Sequence, residues 1–349
     1  MSKILTLYNH KGGVSKTTTS FNLAHALAEH CSQNVLLVDG DPQCNLTELA
    51  LAQELLSLEN QVAESGDMGE LPGSTVLEAL RPRFNGDRPN VDTKAIGLVD
   101  LPGEGSISLF RGDIDLNEAE DRLSQAHAQR VTDEMHQRRT YVAVHDMLRR
   151  LADEHGFDYV IIDVGPSAGA LTRSFFLACD QFLVPVVPDR FNYQAIGSLS
   201  RILEKWIREH RLVVESFTEM DLNISSGTPM LGGLVMQRFQ RYANEPKKSY
   251  KVWMEKIAGR AKAKLLPVLE AAGSEHPMVA SGLDENPTVA SVPEFSGLGP
   301  IMLAVGKPVW RIEKQEADFR GVVWEQTEDR LEDFRQTHYS LAESLMSQD

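Results

Sequence analysis

Residues 9–20 read NHKGGVSKTTTS, and this stretch decides the fold. The residues leading into it, ILTLYNH (4–10), form a short apolar run that is ended by Gly12 and Gly13. From Lys16 to about Cys31 the apolar residues Phe21, Leu23, Ala24, Leu27 and Ala28 recur at helical spacing. The pattern predicts a strand, a glycine turn and a helix. Such a turn lines up backbone N–H groups at a helix N-terminus, which suits phosphate oxygens both sterically and electrostatically. Gly12 and Gly13 permit close backbone approach, and Val14 and Ser15 complete the loop. Lys16 is expected to reach the β- and γ-phosphates of a nucleotide, and Thr17 to offer its hydroxyl to Mg²⁺. Thr18 is placed for the α-phosphate. Two features stand out. A phosphate loop needs one lysine, and Lys11 is a second. Ser15 stands directly before Lys16, where the common pattern has glycine.

Two acidic strand ends follow the loop. The first, VLLVDGDPQ (35–43), carries Asp39 and Asp41 two residues apart behind a buried-type strand. One can hold a metal-bound water while the other orients the attacking water, the two acidic tasks of phosphoryl transfer. The second, YVIIDVGPS (159–167), runs through four apolar residues to Asp163, the form of a carboxylate that holds Mg²⁺. A single aspartate at a strand end is usually a cap or turn residue. Three of them behind buried strands, with the lysine loop ahead, point to a site.

Beyond these ends the alternation of apolar strands and helices continues. ISLFRGDID (107–115), FDYVIID (157–163), QFLVPVVP (181–188), LGGLVMQRF (231–239) and TVASVPE (288–294) read as strands. Helical stretches are expected over 115–155, 168–178, 194–211 and a basic region running to about 270. The segment 54–98 reads as irregular because of the turn signals GDMGELPG and RFNGDRPN. Continuous apolar strands alternating with helices predict an α/β fold, a parallel doubly wound sheet covered by helices on both faces. There is no internal repeat, low-complexity tract or clear linker, so residues 1–349 are expected to form a single domain.

With 349 residues and a hydrophobic fraction of 42%, the chain can bury a large core. Its net charge of −15 should repel DNA and anionic membranes unless a basic patch is set apart. The three cysteines, Cys31, Cys44 and Cys179, are far apart and form no C-x-x-C pair. That argues against a disulfide framework, a zinc site or an iron–sulfur site on this chain alone, and suits a reducing cytosol. No apolar run approaches the ~18 residues of a membrane span, and no signal peptide is visible. A cytoplasmic location is expected.

The segments KGGVSKTT (11–18), DGDPQCNLT (39–47), DYVIIDVGPSAGALT (158–172) and VPEFSGLGPIMLAVGKPV (292–309) resemble the ParA/MinD family of deviant Walker A ATPases, in particular the ParA branch. The motifs fall in family order from residue 4 to about 310. The resemblance implies a P-loop NTPase fold of the deviant Walker A type, with ATP and Mg²⁺ as cofactors. It also gives Lys11 a purpose. In that family the first lysine crosses a dimer interface to phosphates bound by the other subunit, so two nucleotides are sandwiched in a homodimer. A cation brought in this way stabilises charge on the transferring phosphoryl group, as an arginine finger does. By position, Asp41 would orient water, Asp39 and Asp163 would serve Mg²⁺ through water, and Gln43 and the PSAG stretch (166–169) would belong to nucleotide-sensing switches. Gly165 stands where family members often have a proline, and Ser15 where the commonest form has glycine. Pro293 would be a backbone contact to adenine.

Family members use the ATP dimer to bind a surface such as non-specific DNA or a membrane, until a partner triggers release. Residues 313–349 carry ten acids and four Lys/Arg, so anionic lipid would repel this helical tail and no membrane role is expected. Residues 238–264 hold nine Lys/Arg and two acids, a local +7 that leaves −22 on the remaining chain. Such segregation suits phosphate-backbone contacts. The candidates are Lys247, Lys248, Lys251, Arg260, Lys262 and Lys264, with Arg201, Lys205, Arg208 and Arg211 on the preceding helix. The plain alternative is a solvated lysine-rich helix face. No DNA-reading module precedes the loop, so sequence-specific repression is not expected. Two functions remain: a partition ATPase for plasmid or chromosome, nucleoid-associated with ATP and driven by a centromere-binding or other ATPase-stimulating partner; or a nucleotide-controlled protein that positions another assembly without gripping DNA.

Overall fold

The computed structural model describes residues 2–66, 69–242, 245–273, 277–317, 319 and 321–348. Among the described residues ten strands form, in chain order: β1 (Lys3–Leu7), β2 (Asn34–Asp39), β3 (Val99–Asp100), β4 (Ser106–Phe110), β5 (Tyr159–Asp163), β6 (Gln181–Val186), β7 (Met230–Phe239), β8 (Arg241–Tyr242), β9 (Glu245–Pro246) and β10 (Thr288–Pro293). Eight of them make one sheet in the order β10-β7-β6-β1-β5-β2-β4-β3, and β8 and β9 pair as a small ribbon. All neighbours in the large sheet are parallel except the edge pair β3–β4.

The helices are α1 (Lys16–Glu29), α2 (Asn45–Ala50), α3 (Ala52–Ser65), α4 (Val76–Asn85), α5 (Asn117–Ala128), α6 (Met135–His155), α7 (Ala170–Ala178), α8 (Arg190–Glu219), α9 (Lys248–Lys264), α10 (Leu266–Ala272), α11 (Leu298–Val305), α12 (Lys314–Ala317) and α13 (Val322–Met346). Alternate residues of each strand face opposite layers. Ile4, Leu36, Val38, Val160 and Ile162 pack with α4 to α8 and with α9 and α10. Leu5, Leu7, Val35, Leu37 and Ile161 pack with α1, α2, α11 and α13. Both faces are therefore buried, which is why the central strands read as unbroken apolar runs.

Two expectations change in detail. The segment expected to be irregular contains the helices α3 and α4. Its glycines end helices instead of breaking them: Gly66 and Gly86 occupy the C-caps with φ of 74° and 85°, the left-handed region open to glycine. Thr75 and Glu78 form a reciprocal capping box that starts α4, a T-x-x-E signal outweighed in the sequence by the surrounding turn residues. The acidic C-terminal segment is helical, and it is also part of the core. Leu331, Phe334, Leu341, Ala342 and Leu345 of α13 are buried, and Gln348 Nε2 donates to the Gly232 carbonyl at 3.0 Å.

Strand register brings the motifs together. β1 sits between β5 and β6, and β2 lies beside β5 with Asp39 level with Asp163. The loop after β1 and both acidic ends thus open at one carboxyl edge of the sheet, where ligands of parallel sheets bind.

Candidate functional site

The loop from β1 to α1 closes through a left-handed pair. Gly13 has φ 70° and Ser15, the N-cap of α1, has φ 61°. The second value explains why glycine is common there: a side chain in this region costs about 1–2 kcal/mol, and Ser15 adopts it nonetheless. Gly12 and Gly13 are exposed while Val14 is buried, 1% exposed, so the open surface of the loop is formed by the two glycines.

Lys16 and the three aspartates lie under this loop. Lys16 is 8% exposed and its Nζ donates to the Asn9 carbonyl at 3.4 Å. Burial lowers its pKa, against the opposing pull of Asp163 and Asp41. Asp163 is buried and accepts from Thr17 Oγ1 at 2.6 Å through Oδ2. Burial, then the charge of Asp39, pushes its pKa up to about 8, while Thr17 and Lys16 act in the other direction. Its Oδ1 is buried with no hydrogen-bond partner. A buried carboxylate oxygen without a donor, beside a threonine hydroxyl, offers the hard oxygen ligands that a divalent cation such as Mg²⁺ takes.

The other two aspartates face their own turn. Asp39 Oδ2 accepts from Thr47 N at 2.8 Å and Thr47 Oγ1 at 2.7 Å, and its Oδ1 accepts from Asp41 N at 3.3 Å. Burial raises its pKa to about 6. Asp41 is 8% exposed and accepts from Gln43 N at 3.1 Å. A Cβ added to Gly165 would lie 3.0 Å from Asp41 Oδ1, so the glycine gives the carboxylate its space. In the PSAG stretch, the Ser167 hydroxyl shares a hydrogen bond of 2.8 Å with Thr172, and Tyr8 donates to the Ser167 carbonyl at 3.2 Å.

Lys11 points away from this group. Its Nζ pairs with Asp189 at 3.0 and 3.3 Å and lies 5.6 Å from the centre of the Phe191 ring. Asp189 also caps α8, accepting from Asn192 N at 2.7 Å. Asp189 and Phe191 were not singled out in the sequence; the signal available was the D-x-x-N cap after the β6 strand. A cavity of about 430 Å³ beside the loop is lined by Gly13, Ser15, Thr18, Gln237, Arg238, Pro293, Phe295 and Leu303, among others. Pro293 is thus brought to the loop.

The basic segment divides. Lys247, Lys248, Lys251, Lys262 and Lys264 are exposed. Lys247 donates to Gln240, Lys251 pairs with Glu245, and Lys262 donates to the Glu285 carbonyl at 2.6 Å. Arg260 is half-buried over the Tyr193 ring at 5.1 Å, turned into the packing of α9 on α8. Arg201, Lys205, Arg208 and Arg211 are exposed on α8.

A family profile described as an AAA domain matches residues 2–215, more than half of the chain and including every residue of the loop and its acids. The chain belongs to this family, as a ParA/MinD-type ATPase. Among curated ParA-type relatives, the chromosome partitioning protein ParA of Caulobacter vibrioides is 31% identical over 204 residues, 58% of this chain. The match spans 62% of that relative's length. Among solved structures, protein DIP2308 of Corynebacterium diphtheriae superposes with a TM-score of 0.65 at 21% identity, covering 87% of this chain and 97% of that one. The pNOB8 ParA bound to nonspecific DNA superposes at 0.53 and 18% identity, covering 100% and 98%. These likenesses are to the ParA-type fold. Among the described residues, no helix is long and apolar enough to cross a membrane.

Proposed function

We propose that this chain is a Mg²⁺-dependent ATPase switch, built as one domain. It dimerises on ATP, grips non-specific DNA as an ATP sandwich dimer at the nucleoid, and is released by partner-stimulated hydrolysis in plasmid or chromosome partition. The observation that carries the ATPase reading is the unpaired Asp163 Oδ1 beside Thr17 and Lys16. Thr17 and Asp163 would hold Mg²⁺, with Asp39 serving through water. The bound ion would neutralise charge on the phosphate oxygens. Lys16 brings a buried cation to the β- and γ-phosphates, and the backbone from Gly12 to Thr18 offers its N–H groups. Asp41 orients the attacking water. Lys11, released from Asp189, is the cation available to a second subunit's nucleotide.

The DNA part of the reading rests on the exposed lysines of 247–264 and on α8, and is supported by a DNA-bound relative of the same fold. A second reading, a nucleotide-controlled protein that positions another assembly, is favoured by the partners that Lys247, Lys251, Lys262 and Arg260 already have within the chain. Binding to random-sequence duplex DNA with ATP, ADP or no nucleotide, at two salt concentrations, separates the two. ATP-dependent, salt-sensitive binding is expected. Dimers that form with ATP but show no DNA affinity would establish the second reading.

A further inference from the structure

We propose that Arg238 is a nucleotide-contacting residue whose guanidinium meets the phosphate chain of a nucleoside triphosphate seated in the cavity beside the loop. The inference rests on the nucleotide-binding reading above and adds a residue to it. By sequence Arg238 belongs to the basic segment 238–264. The structure separates it from that segment. Strand β7 pairs Gln237 with Val292 and Phe239 with Pro293, so Arg238 is the extra residue of a β-bulge. Its φ of 55° is left-handed, a conformation rarely held by a residue with a side chain. Bulges of this kind re-aim a side chain and gather beside active sites.

The effect here is specific. Gln237 stays in the core, donating to Thr19 Oγ1 of α1 at 2.7 Å, and Phe239 is buried. Between them Arg238 is thrown outward, and its Nη1 donates to the Gly13 carbonyl at 3.1 Å. The guanidinium lines the same cavity as Ser15, Thr18 and Pro293. Among the described residues it forms no ion pair, whereas its neighbour Arg241 is paired with Asp333 at 2.9 Å. Glu294, a carboxylate on that cavity, accepts from Gln240 instead. Arg238 therefore holds an uncompensated charge against the loop that cradles phosphate. Its partner there is a single neutral carbonyl, which a phosphate oxygen outcompetes as an acceptor for guanidinium.

The test is the dissociation constant for a fluorescent ATP analogue, without DNA, for the wild-type chain and the Arg238→Ala, Arg238→Gln and Arg238→Lys variants. Glutamine keeps a donor for the Gly13 carbonyl without the charge, and lysine keeps the charge without the fork. We expect alanine and glutamine each to weaken binding about ten- to a hundredfold, with lysine recovering most of the loss. Alanine within twofold of wild type would overturn the assignment, as would glutamine matching wild type, which would make Arg238 a brace for the loop. Wild-type binding that Lys16→Ala abolishes confirms that the site itself is read correctly. If the wild-type chain binds no nucleotide, the site reading falls and this inference with it. If it binds and alanine is silent, only this inference falls.

Discussion

Lys16 and Lys248 carry the same side chain in opposite surroundings. Lys16 is 8% exposed, its charge set among Asp163, Asp41 and a backbone carbonyl. Lys248 stands exposed at the start of α9. Charges in the first setting are poorly screened and have fixed geometry, so each has a separate task. Those in the second are screened by salt and act by number. One region should fail completely at single positions, and the other should weaken by degrees.

The largest effect is expected at the buried end. Lys16→Ala should lower affinity for ATP at least about a hundredfold and abolish ATP-dependent dimerisation, measured by calorimetry and light scattering. Lys11→Ala should keep most nucleotide binding and lose hydrolysis, because the Asp189 pair leaves that lysine outside the buried group. Full turnover in the Lys11 variant would remove its cross-dimer role. At the exposed end, joint replacement of Lys247, Lys248 and Lys264 by alanine should flatten the salt dependence of DNA binding, by about one unit of slope for each phosphate no longer neutralised. ATPase activity should stay unchanged. An unaltered slope would reduce α9 to a solvated face.

Acid should expose a further contrast, between the loop and the buried imidazoles. Burial holds His145, His210 and His338 at a pKa of about 4, below the ordinary value of 6.5. The unfolded chain binds more protons between those values, so their contribution is fully present above about pH 6.5 and is lost as pH falls toward 4. Asp39 and Asp163, raised to about 6 and about 8, act with the opposite sign, but two carboxyls against three imidazoles leave Tm to decline across that window. The smallest effect is expected from Ser15→Gly. Relief of the left-handed serine, offset by the greater freedom of unfolded glycine, should raise stability by about 1 kcal/mol or less, read as a small rise in Tm.

The sequence was most legible where burial on both faces and ligand geometry constrained it. Continuous apolar strands, the double glycine and the aspartates at strand ends follow from those constraints, and the sheet places them along one edge. Legibility fell where a signal had two meanings. Gly66 and Gly86 read as turn residues and serve as helix C-caps. Arg260 reads as surface charge and packs on Tyr193. Arg238 counted as one more basic residue because a bulge of one residue leaves no periodic trace, yet it redirects the side chain to the loop. The pairing of Lys11 with Asp189, 178 residues away, is set by the meeting of two strand ends and has no local pattern.

Gly165 has a consequence of its own. Asp41 belongs to the turn after β2 and Gly165 to the turn after β5, yet the aspartate fills the volume a side chain on that glycine would need. The two turns therefore interlock like a tooth in a notch. Any side chain at position 165 would have to displace the Asp41 carboxylate, so the turn after β5 sets the room available to the turn after β2.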